Sequence, residues 1–222
     1  MATRFYPDPT NAPSVSPAYD SGWSDTTQAV RRKLVIDAPG DNASTDFTVS
    51  ETSGGVYFVL AVQFVSEPLD SISAACDVVK LVCRCSESSA KSDAQLRFVI
   101  RRCDEDGSNP SNLHSSHYTD NTEFDDGGLV NRIAGSYSAN GGNLSQGDRF
   151  IVEVGVYFAN TKTDSYSGTV NVTDNHATTD LPENDTETAA YNSWIETGDT
   201  FTVASGDPPA EVVNLGPMFA FA

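Results

Sequence analysis

The sequence predicts an all-β protein, a jelly-roll-like β-sandwich with an extended N-terminal arm and an apolar C-terminal tail. Three observations predict it. Short runs alternate apolar and polar residues with a period of two, most cleanly in Arg149–Ala159, where Phe150, Val152, Val154, Val156 and Phe158 share one face. Turn-forming residues separate the runs, as in Asp104-Glu105-Asp106-Gly107-Ser108-Asn109-Pro110. No segment carries the apolar period of an amphipathic helix, and no strand-helix-strand rhythm occurs. The 222 residues suit one such domain, large enough to bury a core without disulfides or metal.

Residues 1–30 read as an extended arm. Pro7, Pro9, Pro13 and Pro17 disfavour helix and central strand, and Phe5, Tyr6, Tyr19 and Trp23 punctuate the stretch. Aromatics in an irregular segment dock on something, either the domain itself or a neighbouring subunit. Arg31, Arg32 and Lys33 form the strongest basic cluster and lead into Leu34-Val35-Ile36. The sandwich domain is expected over 31–205. Its strands are Asp46–Ser50, Val56–Val65, Val78–Cys85, Ala94–Cys103, a short one at Leu129–Ile133, Arg149–Ala159, Ser167–Val172, and a final pair or one bulged strand over Trp194–Val203. In Ala94–Cys103, Leu96, Phe98 and Ile100 face one way and Arg97, Val99 and Arg101 the other. Asp104–Gly128 reads as turn-rich connection. The tail, 206–222, ends in an apolar stretch with Phe219 and Phe221 that needs cover from the body or a partner.

Charge narrows the function classes. Asp and Glu number 31 against 13 Lys and Arg, a net charge of -18, which opposes direct binding to a nucleic-acid backbone. Beyond Cys103 the only basic residues are Arg132, Arg149 and Lys162. No stretch approaches the length of a membrane span, and the first residues lack the apolar core of a secretory signal. Cys76, Cys83, Cys85 and Cys103 match no zinc spacing and read as free, mostly buried thiols of a protein assembled in a reducing compartment.

Catalytic patterns are missing: there is no G-x-S-x-G elbow, H-E-x-x-H helix or phosphate loop, so the expectation is not an enzyme. His114 and His117, with Asp120 nearby, form an H-x-x-H pair that reads as a loop with two surface histidines. Calcium is the better ligand question, because hard oxygen ligands from loops often pin β-sandwiches. The densest candidate is Asp174, Asp180, Glu183 and Asp185, with Asn175. Asp104 with Glu105 and Asp106, and Asp125 with Asp126, are further acidic groups; a solvated acidic loop is the plain alternative for all of them. Tyr118, Tyr137, Tyr166, Tyr191 and Trp194 are candidates for sugar contact, although Trp194 opens an apolar strand and reads as core or rim.

A resemblance adds to this reading. Arg4-Phe5-Tyr6, Ala12-Pro13-Ser14-Val15-Ser16-Pro17-Ala18, Trp23 and Arg31-Arg32 look like the opening of a family of uncharacterised structural proteins of tailed phages. Phe64–Asp70, Cys85-Ser86-Glu87-Ser88, Gly147–Val156, Asp180-Leu181-Pro182 and Trp194-Ile195 are similar to the same family, over most of the chain. The body resembles, more weakly, carbohydrate-binding jelly-roll modules. The resemblance implies a virion protein assembled in host cytoplasm, a capsid decoration, cement or head-fibre protein. The alternative is a tail-associated receptor- or carbohydrate-binding protein. It implies other virion proteins as partners, the major capsid protein first, a homo-oligomer with a trimer favoured, and a host-surface glycan for the tail alternative. The expected subunit-contact residues are Phe5, Tyr6, Tyr19, Trp23, Arg31, Arg32, Lys33, Phe219 and Phe221. No cofactor is expected beyond a structural calcium.

Overall fold

The computed structural model describes residues 2–38, 40, 43–51, 57–72, 78–114, 117–138, 143–160, 164–174 and 179–203. Among them the chain forms strands β1 (Thr3–Pro7), β2 (Val30–Val35), β3 (Ser44–Ser50), β4 (Tyr57–Ile72), β5 (Val78–Glu87), β6 (Ala94–Cys103), β7 (Ser111–Asn112), β8 (Tyr118–Glu123), β9 (Val130–Ser138), β10 (Arg149–Phe158), β11 (Ser167–Thr173), β12 (Trp194–Thr197) and β13 (Phe201–Val203). The fold is all-β, as the period-two runs predict.

Hydrogen-bonded neighbours follow the order β3-β11-β5-β12-β1-β2-β4-β10-β6-β7, with β9 also on β5, β8 also on β6 and β13 also on β4. The sheet is mixed: β2 runs parallel to β4, pairing Val30 with Val62 and Leu34 with Ser66. β1 is the joint of this order. Phe5 pairs with Ile195 of β12, while Tyr6 pairs with Val35 of β2.

Alternate residues build the core. Phe150, Val152, Val154, Val156 and Phe158 of β10 join Leu96, Phe98 and Ile100 of β6 and Ala61 and Phe64 of β4. Val79, Leu81, Cys83 and Cys85 of β5, Phe47 and Val49 of β3, and Val170 and Val172 of β11 enter the same cluster. Burial of this continuous apolar surface is the main stabilising term. Cys83, Cys85 and Cys103 are free and buried, as expected; Cys76 lies outside the described residues.

Several elements differ from the sequence expectation. The arm is not irregular throughout: Thr3–Pro7 is a paired strand, its proline placed at the end, where strands tolerate it. β4 continues seven residues past Val65, carrying Pro68 at a register irregularity where Arg149 and Ile151 pair with Pro68 and Val65. The turn-rich stretch after Cys103 contains β7 and β8, whose polar sequences show no alternation. Trp194–Val203 splits into β12 on β5 and β1, and β13 on β4, two segments with different partners. Residues 206–222, with Phe219 and Phe221, lie outside the described residues.

The clean face of Arg149–Ala159 makes it a candidate central core strand, and β10 is covered on both faces. The second cover is the N-terminal segment. Val15 packs with Val65, Cys103 and Ile151, and Trp23 packs with Leu60 and Val99 beside Tyr19, Ala29 and Phe58. The stretch around Leu181 covers β5 similarly: Leu181, Trp194 and Val82 form a cluster with Tyr6, Ile133 and Tyr191.

Candidate functional site

The most concentrated polar chemistry lies beneath that N-terminal segment, on the β10 face opposite the core. Strand alternation puts Glu153 there, between Val152 and Val154, and gives it no exposed surface. A lone buried carboxylate is strongly unfavourable, so it must be surrounded by donors. Arg101 of β6 donates Nη1 at 2.6 Å, Gln63 of β4 donates Nε2 at 2.9 Å, and the Trp23 indole donates Nε1 at 2.7 Å. The Asp20 main-chain N–H reaches both carboxylate oxygens at 3.1 Å. Two of these donors come from the sheet and two from the N-terminal segment.

Further contacts extend from this centre. Arg101 also donates to the Ala18 carbonyl at 2.7 Å and to Asn112 at 2.8 Å. Arg31 bonds Gln63 at 2.9 Å and the Pro17 carbonyl at 3.0 Å, and its guanidinium lies 4.0 Å over the Tyr19 ring. His117 sits 2.6 Å from Asp20 through Nε2, and its Nδ1 accepts from Arg97 at 3.1 Å. The neutral ring therefore carries its proton on Nε2 and donates it to Asp20. Burial lowers the His117 pKa, opposed by Asp20, and Arg97 lowers it further. Burial alone would raise Asp20, but the His117 hydrogen bond and the Gly22 N–H bring it below its ordinary value.

Two glycines make room. A Cβ on Gly22 would stand 2.6 Å from His117 Nε2, and one on Gly155 would meet the Val59 carbonyl and lie 2.7 Å from the Trp23 ring. Both of His117's nitrogens are engaged and Glu153 is sealed, so the arrangement positions chain and does not present a reacting group. It acts as a fastening for residues 17–23.

The sequence-nominated residues fall as follows. Phe5 is fully buried in the core, 5.3 Å from Phe150 between ring centroids. Tyr6 donates to Asp180 at 3.2 Å and Tyr19 to the Ala29 carbonyl at 3.4 Å. Arg32 donates to the Pro9 carbonyl at 2.7 Å, and Lys33 pairs with Glu67 at 3.4 Å. With Trp23 and Arg31, all seven described members of the expected subunit-contact set thus have partners within the chain. Glu153, Arg101, Gln63 and Asp20 were not singled out, and the one sequence signal for Glu153 is an acid inside an otherwise apolar run.

The nominated calcium ligands are not drawn together. Asp180 pairs with Arg4 at 2.6 Å, Glu183 pairs with Lys80 at 2.7 Å, Asp174 is buried at the end of β11, and Asp185 is exposed. Among the described residues no group of three His, Cys, Asp or Glu is placed to hold a metal ion. Trp194 is buried, donating to the Leu181 carbonyl at 2.8 Å with Arg4 4.0 Å over its ring, which agrees with the core reading. Tyr118 packs against Phe98, Tyr191 joins the Trp194 cluster, and Tyr166 bonds Asp164 at 3.3 Å. The Tyr137 side chain lies outside the described residues.

No protein-family model matches the chain. No curated protein matches it either.

Proposed function

We propose that the chain is a structural protein of a tailed-phage particle, set on the head as a decoration, cement or head-fibre subunit. The observation that carries the reading is the engagement of the residues that bear the family resemblance. Arg4 bridges Asp180 and Glu196, Phe5 enters the core, Ala18 and Trp23 meet Arg101 and Glu153, and Arg31 and Arg32 tie the segment to β4 and to Pro9. These positions fasten the N-terminal segment, so a likeness at them fits a shared fold and not a chance match of composition. The finer architecture we propose is a jelly-roll-like sandwich, supported by strands from both ends of the sheet order sharing one core.

Other features fit this role. A net charge of -18 suits docking on a basic partner such as a capsid lattice and repels packaged nucleic acid. Buried free thiols suit assembly in host cytoplasm. Contacts with the major capsid protein, and self-association as a trimer, belong to the same reading, with avidity across a lattice strengthening weak single contacts.

One observation favours the tail-associated alternative. Phe58 and Tyr157, both half-buried, lie with ring centroids 5.1 Å apart and planes tilted by 35°, and Arg97 lies 3.7 Å over Phe58. An aromatic pair beside a guanidinium is a surface on which a sugar ring can stack. Electron microscopy of particles labelled with gold-conjugated antibodies against this chain tests the choice. Regular label over heads is expected; label confined to tails would transfer the proposal to the alternative, and unlabelled particles would end both. A glycan array then checks the Phe58–Tyr157 surface, with Tyr157→Ala as its control.

A further inference from the structure

The last described strand leads into a groove. β13 runs antiparallel to β4, pairing Phe201 with Ile72, Thr202 with Ser71 and Val203 with Leu69. β2 runs parallel to the earlier part of β4, where Leu34 pairs with Ser66. Each step along β13 therefore moves back along β4 toward the end of β2, and the chain leaves Val203 heading for it. Where the two meet, Leu34, Val35, Ile36 and Val203 line a groove of about 310 Å³, with Asp8, Asp37 and Glu67 also on its wall.

The groove has an apolar floor beside acidic groups. Leu34 is buried in the core, and Ile36 and Val203 are half-buried and packed against it, so the floor is continuous with the core. Asp8 is buried and accepts the main-chain N–H groups of Thr10 at 3.0 Å and Asn11 at 2.9 Å. Glu67 pairs with Lys33 at 3.4 Å and Arg149 at 3.2 Å. These two acids are engaged within the chain, and the surface between them is apolar and open.

The sequence that continues from Val203 suits this surface. Residues 204–222 lie outside the described residues. Ala204–Ala210 carry the turn formers Gly206, Asp207, Pro208 and Pro209, and Val212–Ala222 contain no charged side chain. In a chain of net charge -18, an uncharged segment enters an acid-flanked groove without like-charge repulsion. A linker of seven residues, at about 3.3–3.6 Å each, reaches easily across a groove whose wall includes Val203 itself. Attachment through so short a linker holds the segment at an effective concentration on the order of millimolar, which favours it over a second copy in dilute solution. Phe219 and Phe221 offer its largest apolar side chains and, being two apart, share one face of an extended backbone.

We propose that the groove between the end of β2 and β13 is the docking site for the chain's own segment Val212–Ala222, anchored by Phe219 and Phe221. The groove lies at the small end of ligand clefts, roughly 300–1,000 Å³, so it receives a pair of side chains and not the whole segment. Docking covers the apolar floor and the apolar segment together. The proposal stands on this groove and is independent of the particle reading.

Methyl NMR on the full chain tests it. Nuclear Overhauser contacts are expected from the Phe219 and Phe221 rings to the methyl groups of Val35, Ile36 and Val203. Phe219→Ser with Phe221→Ser should abolish those contacts and shift the three groove residues, leaving the core methyls of Val156 and Val170 in place. Ile36→Asp breaks the same contact from the other side: the rings remain, and their contacts with Val35 and Val203 should be lost. It serves if the tail variant behaves poorly. A mixture of differently labelled chains should show the contacts within one chain only. Contacts found only between chains would assign the groove to a second copy and overturn the proposal. So would a wild type without ring-to-methyl contacts, or groove methyls indifferent to the tail substitutions, which would leave the groove to a different partner.

Discussion

Trp23 and Glu153 stand 130 residues apart and share a buried hydrogen bond of 2.7 Å. That bond joins the N-terminal segment to the central strand, and it makes the segment a working part of the fold. Its strength is open to direct measurement.

Trp23→Phe keeps most of the ring but removes the indole donor. It leaves Glu153 one donor short in a sealed environment, which should cost about 1–3 kcal/mol. Urea denaturation followed by circular dichroism reads the change, and an unaltered midpoint would contradict the role given to the indole.

Gly155→Ala inserts a methyl where the Trp23 ring lies 2.7 Å away and the Val59 carbonyl blocks the other side. The ring must move or the β4–β10 pairing must shift, at about 1–3 kcal/mol. The red shift of Trp23 emission should accompany the loss; comparison with a Trp194→Phe background isolates that signal.

Arg101→Met should be the costliest single change, about 3–5 kcal/mol, because it strands a buried carboxylate. Adding Glu153→Gln removes the stranded charge and should recover part of the loss. The double-mutant cycle is expected to show coupling of about 1–3 kcal/mol; strict additivity would mean that the two groups do not interact.

Two groups bend the stability curve in opposite directions. His117 is lowered by burial in the folded state, so its contribution is present above the ordinary 6.5 and is lost as pH falls. Glu87 is raised, and its contribution grows as pH falls from about 7. His117→Asn should therefore unmask a steeper gain of stability on mild acidification, and Glu87→Gln a steeper loss. Chemical denaturation at closely spaced pH values separates the two.

The three described thiols should resist a water-soluble thiol reagent in the native protein, since Cys83, Cys85 and Cys103 are fully buried. Burial also pushes the Cys85 thiol well up and Cys103 up to about 11. Labelling of the folded chain, resolved by peptide mapping, should reach these positions only under denaturant; fast labelling of Cys103 would show that Val15 leaves its place over it.

Strands were legible where alternation was clean. Ala94–Cys103 and Arg149–Ala159 carry it undiluted, and the structure places β6 and β10 there within a residue. β1 was hidden by Pro7 and β8 by polarity, because neither has a face that is apolar throughout. The fastening at Glu153 was illegible for a different reason. Periodicity assigns Glu153 to the face away from the core, where an acid ordinarily meets water. Only a segment more than a hundred residues distant converts that face into an interior. Arg97 and Arg101 were correctly set on the far face of β6, but nothing local indicates what lies over them. Long-range pairing of this kind is fixed by tertiary packing, beyond the reach of a short window.

β1 has a consequence for how the molecule comes into being. Arg4 meets Glu196 across 192 positions, and Phe5 pairs with Ile195. On a ribosome adding about 5–20 residues per second, Phe5 emerges roughly 10 to 40 seconds before Ile195 exists. During that interval the first strand has one neighbour at most, and its Phe5 side chain has nothing to seal against on the β12 side. The later-made β12 therefore closes the fold around the earlier-made β1, and a nascent chain halted before Trp194 should carry an open seam that a chaperone can recognise.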